Sequence, residues 1–366
     1  MKILLIITRA DTVGGAQLHV RDLAVRLIKD QHEVLVLTGI KGKYTDFLEQ
    51  SQIKTVTCPT FKNNINPFED WQTLNFIKKI IRNFKPDLVA THSSKAGILG
   101  RLASKQLNIP CTFTAHGWSF TDGIPEPKRT LYQILEQWTA RFTNQIICVS
   151  EYDRQLGIKA GIESHRLVKV HYGVSDLKAG LRATPNQSYP VRIVMVARFE
   201  PQKDHKTMFK AFKSLSGAQL DLLGDGPDME YYQQMAKELE IIDRVHFVGF
   251  CNNVTERLAQ AQIFALITNW EGFPISTLEA MRAGLPTVVS DVCGCSEAIL
   301  EGKTGYCIPH GDVETLRTRL ATLISDSKLR QEMGQAARER YEQEYTFEKM
   351  YERTLETYQK ALQTKR

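Results

Sequence analysis

The sequence holds no run of about 18 apolar residues, the length a membrane-spanning helix needs, so a spanning segment is not expected. A leader is not expected either. The start, "MKILLIITRADTVGGAQ", has a short apolar run that meets Gly-Gly without a small-residue cleavage site, and it reads as the first strand of a buried sheet. Cysteine is sparse: the seven are dispersed and odd in number, which argues for free thiols in a reducing compartment. Cys293-Gly294-Cys295 lacks the second ligand pair a zinc site needs, so no metal is expected there. The G-x-G-x-x-G fingerprint is missing after the first strand, which disfavours a nicotinamide-dependent enzyme. Fixed-period repeats and low-complexity segments are absent as well.

What remains is ordinary globular composition, 42% hydrophobic and 24% charged, in a chain of 366 residues. That length predicts two domains of roughly 150–200 residues. Charge is uneven. Residues 1–175 carry 23 Lys+Arg against 15 Asp+Glu, a balance of +8, and the remainder carries 24 against 26, or −2. A basic first half calls for an anionic partner such as phosphate, nucleic acid or an acidic membrane surface.

Short apolar runs alternate with helical periods along both halves. "KILLII" (2–7), "EVLVLT" (33–38), "DLVATH" (87–92), "CTFTAH" (111–116) and "QIICVS" (145–150) read as buried strands. A polar, Pro-containing stretch at 176–190 is the predicted linker between a first domain, 1–175, and a second, 191–345. The second repeats the alternation with "VRIVMVAR" (191–198), "QLDLLGDG" (219–226), "VHFVGF" (245–250), "IFALIT" (263–268) and "PTVVSD" (286–291). Residues 346–366 are expected to form a helix returning to the first domain. Strand–helix alternation makes parallel sheets covered on both faces, so the expected fold class is α/β: two doubly wound Rossmann-type domains facing each other across a cleft that holds the ligand.

Several motifs fall at predicted strand ends. Gly14-Gly15 follows the first strand and precedes a helix, where glycine lets backbone N–H groups approach an anion, although a tight turn without ligand has the same signature. Arg198 and Lys203 suit a diphosphate, the first by its fork and the second as a point charge. Standing alone, the pair is more readily a solvated loop with charges. "LLGDGP", with Gly224, carries the same ambiguity.

The stretch "NWEGFPISTLEAM" (269–281) is more informative. With Pro274 at the entry and a helix from about Ser276, Glu271 lies in the preceding loop and Glu279 in the first turn. The free N–H groups of roughly Ile275, Ser276, Thr277 and Leu278 favour phosphate. One acid ahead of that cradle can hold the hydroxyls of a sugar, and one inside it can accept both hydroxyls of a ribose. A nucleotide sugar, whose diphosphate separates two polyols, fits both.

Gly14-Gly15, the Arg198-to-Lys203 spacing, "GDGP", "EGFPISTLEAMRAGLPTVVSD" and "EGKTGY" occur in the order found in family 4 retaining glycosyltransferases of the GT-B fold, which the chain resembles over nearly its whole length. "THSSKAGILGRLA" and "FTAHGW" in the first half are similar to bacterial members that build surface polysaccharides on polyprenyl diphosphates. The resemblance implies that Glu271 contacts hydroxyls of the donor sugar and Glu279 the ribose diol. It implies that Arg198 and Lys203 neutralise the departing diphosphate without a metal or other cofactor, and that His116 lies beside the transferred sugar. Those four, His116, Arg198, Lys203 and Glu271, form the expected catalytic set. Gly15, Gly224 and Phe273 through Glu279 are expected at the donor; Gly14, His92 and Lys95 are expected at the acceptor. One departure is visible: members carry Gly-Gly after "SD", where this chain has Cys293 and Gly294.

Bland readings stand beside these. His116 alone is as readily a hydrogen-bonded structural histidine, and Lys95 and Arg101 are as readily solvated helix charges. The helix "WQTLNFIKKIIRNFK" (71–85) places Trp71, Leu74, Ile77, Ile81 and Phe84 against Lys78, Lys79, Arg82 and Lys85. That is a packed helix with outward cations, or a basic amphipathic face on anionic lipid. The expected activity is transfer from a nucleoside-diphosphate sugar, a UDP-sugar by preference, to a lipid-linked saccharide or diphosphate lipid. The enzyme is expected in the cytoplasm, peripheral on the inner face of the plasma membrane, with no nucleic-acid partner. A nucleotide-sugar 2-epimerase of the same fold and a non-catalytic nucleotide-sugar-binding subunit are the rivals.

Overall fold

The structure, a computed structural model, describes residues 1–121, 123–177, 180–187 and 189–364. It divides into two compact units, Met1–Tyr172 with Met350–Arg366, and Gly173–Lys349.

The first unit alternates β1 (Lys2–Ile7), α1 (Gly15–Lys29), β2 (Glu33–Thr38), α2 (Lys43–Gln50), β3 (Thr55–Thr57), α3 (Pro67–Phe84) and β4 (Leu88–His92). It continues through α4 (Ser94–Gln106), β5 (Cys111–Ala115), α5 (Lys128–Ala140), β6 (Gln145–Cys148), α6 (Glu151–Lys159) and β7 (Leu167–Lys169). All its strand pairs are parallel, in the order β3-β2-β1-β4-β5-β6-β7. Strand β1 lies inside the sheet between β2 and β4, and its unbroken apolar run is what a strand covered on both faces requires. Helix α4 lies directly on the sheet because two of its residues have no side chain. A Cβ on Gly97 would sit 2.7 Å from the Phe113 ring, and one on Gly100 would sit 2.5 Å from Thr91 Cγ2.

The second unit repeats the plan with β8 (Val191–Val196), α7 (His205–Lys213), β9 (Ala218–Leu223), α8 (Met229–Glu238), β10 (Val245–Gly249) and α9 (Val254–Ala259). Then come β11 (Ile263–Leu266), α10 (Ile275–Ala283), β12 (Thr287–Ser290), β13 (Gly305–Ile308), α11 (Val313–Ser325) and α12 (Ser327–Glu344). Its parallel order is β10-β9-β8-β11-β12-β13. The last helix, α13 (Phe347–Gln363), belongs from Met350 onward to the first unit.

Three short strands, β3, β7 and β13, escaped the sequence reading because three or four residues carry too little periodicity. The stretch expected as a linker is tied to the second unit. Ala183 N–H donates to Ala283 O at 2.8 Å, Arg330 Nε donates to Pro185 O at 2.6 Å, and Arg338 binds both oxygens of Asp176. Positions 178, 179 and 188 of that stretch lie outside the described residues, as do 365 and 366 of the expected C-terminal helix. Trp71 is a correction: it is 61% exposed instead of packed, as are Ile65 and Phe68 nearby, while Ile77 and Ile81 fill the core.

Candidate active site

Ligands of doubly wound sheets collect at the carboxyl ends of strands, where the strand order reverses. In the second unit that point lies between β8 and β11. The loops leaving these two strands are zipped together. Asp204 N–H donates to Ile267 O at 3.0 Å, Asn269 N–H to Gln202 O at 2.8 Å, and Thr268 Oγ1 to Gln202 O at 2.9 Å. Zipping sets Lys203 Nζ against Glu271 Oε1 as an ion pair, with both side chains largely buried. Arg198 stays 44% exposed and pairs with Glu200 at 2.7 Å. His205, the first residue of α7, stacks on Phe199 at 4.3 Å with Nε2 3.2 Å from the Arg198 carbonyl oxygen. Burial lowers the His205 pKa to about 4, so a neutral ring donates that bond and pins the backbone that carries Arg198.

Helix α10 opens from the same place. Pro274 precedes it in extended backbone and no side chain caps it; the Thr277 N–H donates to Pro274 O at 3.2 Å, which leaves the amides of Ile275 and Ser276 for a ligand. Counting from Ile275, Glu279 is the fifth helical residue; it stands in the second turn, one step deeper than the sequence expectation. Phe273, Pro274, Thr277 and Leu278 are buried, so their side chains shape the wall, while Ile275, Ser276 and Glu279 are half-buried. Gly224 has its own steric reason. A Cβ there would lie 2.1 Å from Ala197 O, at φ 149°, because the ends of β8 and β9 cross closely. Gly226, which the sequence reading passed over, is confined the same way against Phe199 O at 2.4 Å. Cys293 takes a φ of 48°, the left-handed region glycine adopts without strain, at the position where family members carry glycine.

In the first unit the order reverses between β1 and β4. Gly14 stands ahead of α1 in extended backbone, and its N–H donates to Gln17 Oε1 at 3.3 Å; Gly15 begins the helix. His92 closes β4 and His116 follows β5, so neighbouring strands bring both to one edge. His92 Nδ1 and His116 Nε2 are 3.0 Å apart, and His116 Nδ1 is bonded to Tyr172 Oη. Both nitrogens of His116 are therefore engaged. His19, from α1, completes a cluster of four rings, with centroids 5.8, 5.4 and 5.1 Å from His92, His116 and Tyr172. Burial holds all three imidazoles neutral. His19 falls to about 4, and His92 and His116 go well below their usual range; desolvation is the main cause, joined for His92 by repulsion from His19 and for His116 by repulsion from His92 and His19. No sequence signal separated His19 or Tyr172 from an ordinary buried residue.

Lys95 and Arg101 are committed elsewhere. Lys95 Nζ is paired with Asp70 at 2.6 Å and bonded to Asn64 O. Arg101 is a correction: it is fully buried and is not a solvated helix charge. Its Nη2 lies 2.5 Å from Glu136 Oε2 across α4 and α5, and its guanidinium covers the Phe113 ring at 4.3 Å. Among the described residues no group of three or more His, Cys, Asp or Glu is arranged to hold a metal, and no helix is long and apolar enough to cross a membrane.

Two doubly wound parallel sheets, with cations, acids and a helix start at a switch point, are the plan of a GT-B type glycosyltransferase, and the comparisons with known proteins show that class. The family is shown half by half: residues 13–176 belong to Glycosyltransferase Family 4 and residues 182–340 to Glycosyl transferases group 1. The UDP-Gal:alpha-D-GlcNAc-diphosphoundecaprenol alpha-1,3-galactosyltransferase of Escherichia coli is 28% identical over 83% of each chain. The N,N'-diacetylbacillosaminyl-diphospho-undecaprenol alpha-1,3-N-acetylgalactosaminyltransferase of Campylobacter jejuni is 25% identical over 88% of this chain and 90% of its own. Among solved structures, Anabaena HepE in complex with UDP and glucose superposes with a TM-score of 0.84 at 21% identity, over 98% of this chain and 99% of its own, which bears on the fold alone.

Proposed function

We propose that the protein transfers a hexosyl group from a UDP-sugar to a lipid-linked saccharide or diphosphate lipid, with retention of anomeric configuration. The observation that carries this is the convergence of Arg198, Lys203, Glu271 and the start of α10 at one switch point. Arg198 and Lys203 face the diphosphate, the α10 amides help hold it, Glu271 takes hydroxyls of the transferred sugar and Glu279 the ribose diol. The bond from the anomeric carbon to the diphosphate oxygen breaks and UDP departs. The acceptor oxygen bonds to that carbon on the same face, and its proton passes to a phosphate oxygen. Catalysis is then positioning and charge stabilisation, with no metal or cofactor and no protein nucleophile. Lysine has three N–H donors, so Lys203 can meet a phosphate without releasing Glu271.

A lipid-linked acceptor is supported by the Escherichia coli and Campylobacter jejuni relatives, whose names carry a diphosphoundecaprenol acceptor and, in the first, a UDP-Gal donor. These relatives do not favour the 2-epimerase or the non-catalytic subunit. The exposed Ile65, Phe68 and Trp71 at the start of α3, with the cations Lys78, Lys79 and Arg82 further along the same helix, suit the surface of an anionic membrane, and we propose that the enzyme works on the inner face of the plasma membrane. A thermal-shift screen of UDP-, GDP- and ADP-sugars tests the donor. A bound donor at a hundredfold excess over its dissociation constant stabilises by about 2.7 kcal/mol. Stabilisation by GDP- or ADP-sugars alone would overturn the UDP assignment. Conversion of a UDP-sugar to its 2-epimer without any acceptor, seen by NMR, would overturn transfer.

A further inference from the structure

The four-ring cluster of the first unit contains more hydrogen-bonding capacity than the protein itself uses. His116 spends both ring nitrogens, on His92 and Tyr172. His92 spends Nδ1 on His116, and its Nε2 is buried without a partner. His19 is 8% exposed and makes no hydrogen bond among the described residues, although three rings fix its plane. Buried polar side chains of native proteins are nearly always satisfied, by protein, water or ligand. His92 Nε2 is the sealed unpartnered atom of the cluster, whereas the His19 nitrogens are not cut off from solvent, so this ring, fixed by its three neighbours and unbonded, is prepared for a partner from outside.

We propose that His19 is a substrate-contacting residue whose ring nitrogen hydrogen-bonds a sugar hydroxyl during transfer. Its place supports this. It is the fifth residue of α1, one turn beyond Gly14-Gly15 and against the rings of His92, which closes β4, and His116, which follows β5, at the sheet end where ligands of this architecture bind. The chemistry selects the ligand class. A neutral imidazole offers one donor and one acceptor, which matches a hydroxyl, and it carries no charge to attract a diphosphate. The neighbours add none, because His92 and His116 are neutral and Tyr172 is a phenol. The cluster is therefore a polar, uncharged wall for a polyol, and His116 is held in place by His92 and Tyr172 while His19 makes the contact.

The inference rests on the glycosyl-transfer reading, and one experiment separates the two. Histidine is labelled with 15N, and the His19 ring signals are assigned by their loss in His19→Phe, which keeps an aromatic ring and removes the nitrogens. The protein is then titrated with UDP, with UDP-glucose, UDP-galactose and their N-acetylamino counterparts, and with an N-acetylglucosaminyl diphosphate carrying a short alkyl chain, while calorimetry reports binding. Movement of the His19 signals with a UDP-sugar but not with UDP assigns the contact to the donor sugar. Movement with the alkyl diphosphate sugar alone assigns it to the acceptor. Still signals with every ligand that calorimetry shows to bind overturn the inference and leave the transfer reading intact. Binding of none of them overturns the reading and the inference with it. In turnover, His19→Phe should keep the wild-type melting temperature and lose at least tenfold in transfer rate; wild-type transfer by this variant also overturns the inference.

Discussion

Lys203 and Glu271, 68 positions apart, form an ion pair where the loops after β8 and β11 meet. The pair means that the cation nearest the proposed diphosphate is already compensated before any ligand arrives. Glu271 then has two tasks, holding Lys203 in place and offering its remaining oxygen to a hydroxyl. Thr268 Oγ1 lies 3.4 Å from the same carboxylate oxygen, but its one proton goes to the nearer Gln202 O at 2.9 Å.

Lys203→Ala and Arg198→Ala should each reduce turnover by about 100-fold, the usual effect of removing one contact to charge that grows in the transition state. Melting temperatures should change little for Arg198→Ala, whose side chain is half in solvent. Steady-state kinetics with the preferred donor checks both, and wild-type rates in a folded variant would remove that residue from its role.

The two glutamates should separate by ligand. Glu279→Ala is expected to weaken UDP and UDP-sugar alike, because a ribose contact is common to both. Glu271→Ala is expected to weaken the intact donor more than UDP, which loses only the positioning of Lys203. Calorimetry with both ligands on both variants decides, and equal losses would mean that the two acids are misassigned.

Arg101 and Glu136 belong to stability. Arg101→Met alone leaves a buried carboxylate unpaired and should cost about 3–5 kcal/mol, whereas Arg101→Met with Glu136→Leu should recover most of it. Urea denaturation measures the difference. A single variant as stable as wild type would contradict the burial of this pair.

The neutral histidines make stability depend on acid. Burial brings the pKa of His19 and His205 down to about 4 in the folded protein and lowers those of His92 and His116 well below the value of about 6.5 held in the unfolded chain. Below pH 6.5 the unfolded state binds more protons than the native state, so stability falls as pH drops, by up to about 1.4 kcal/mol per unit for each histidine. Denaturation midpoints from pH 7.5 to 5 should therefore fall, and should fall less steeply in His19→Phe.

Anionic liposomes should retain the protein at low salt and release it as ionic strength rises, because exposed charges are screened over about 8 Å at physiological salt. Neutralising Lys78, Lys79 and Arg82 together, or replacing Trp71 with Ser, should reduce co-sedimentation while activity on a water-soluble acceptor analogue is kept. Indifference of the wild type to anionic lipid would point to a soluble acceptor.

The order of strands and helices, the two-sheet plan and the placing of Gly15, Arg198, Lys203 and Pro274 at strand ends were legible in the sequence, because apolar period and turn residues act over a few neighbours. Strands of three or four residues were not, since so short a run has no period. Tertiary structure alone decided which strand ends meet. The pairing of β8 with β11 sets Lys203 on Glu271, and the pairing of β4 with β5 sets His92 on His116. Neither contact leaves a mark in local pattern. Tertiary packing also decided that Arg101 is buried and Trp71 exposed, because a charge enters the core only when another helix brings its partner, and an aromatic ring stays outside when nothing in its own unit covers it.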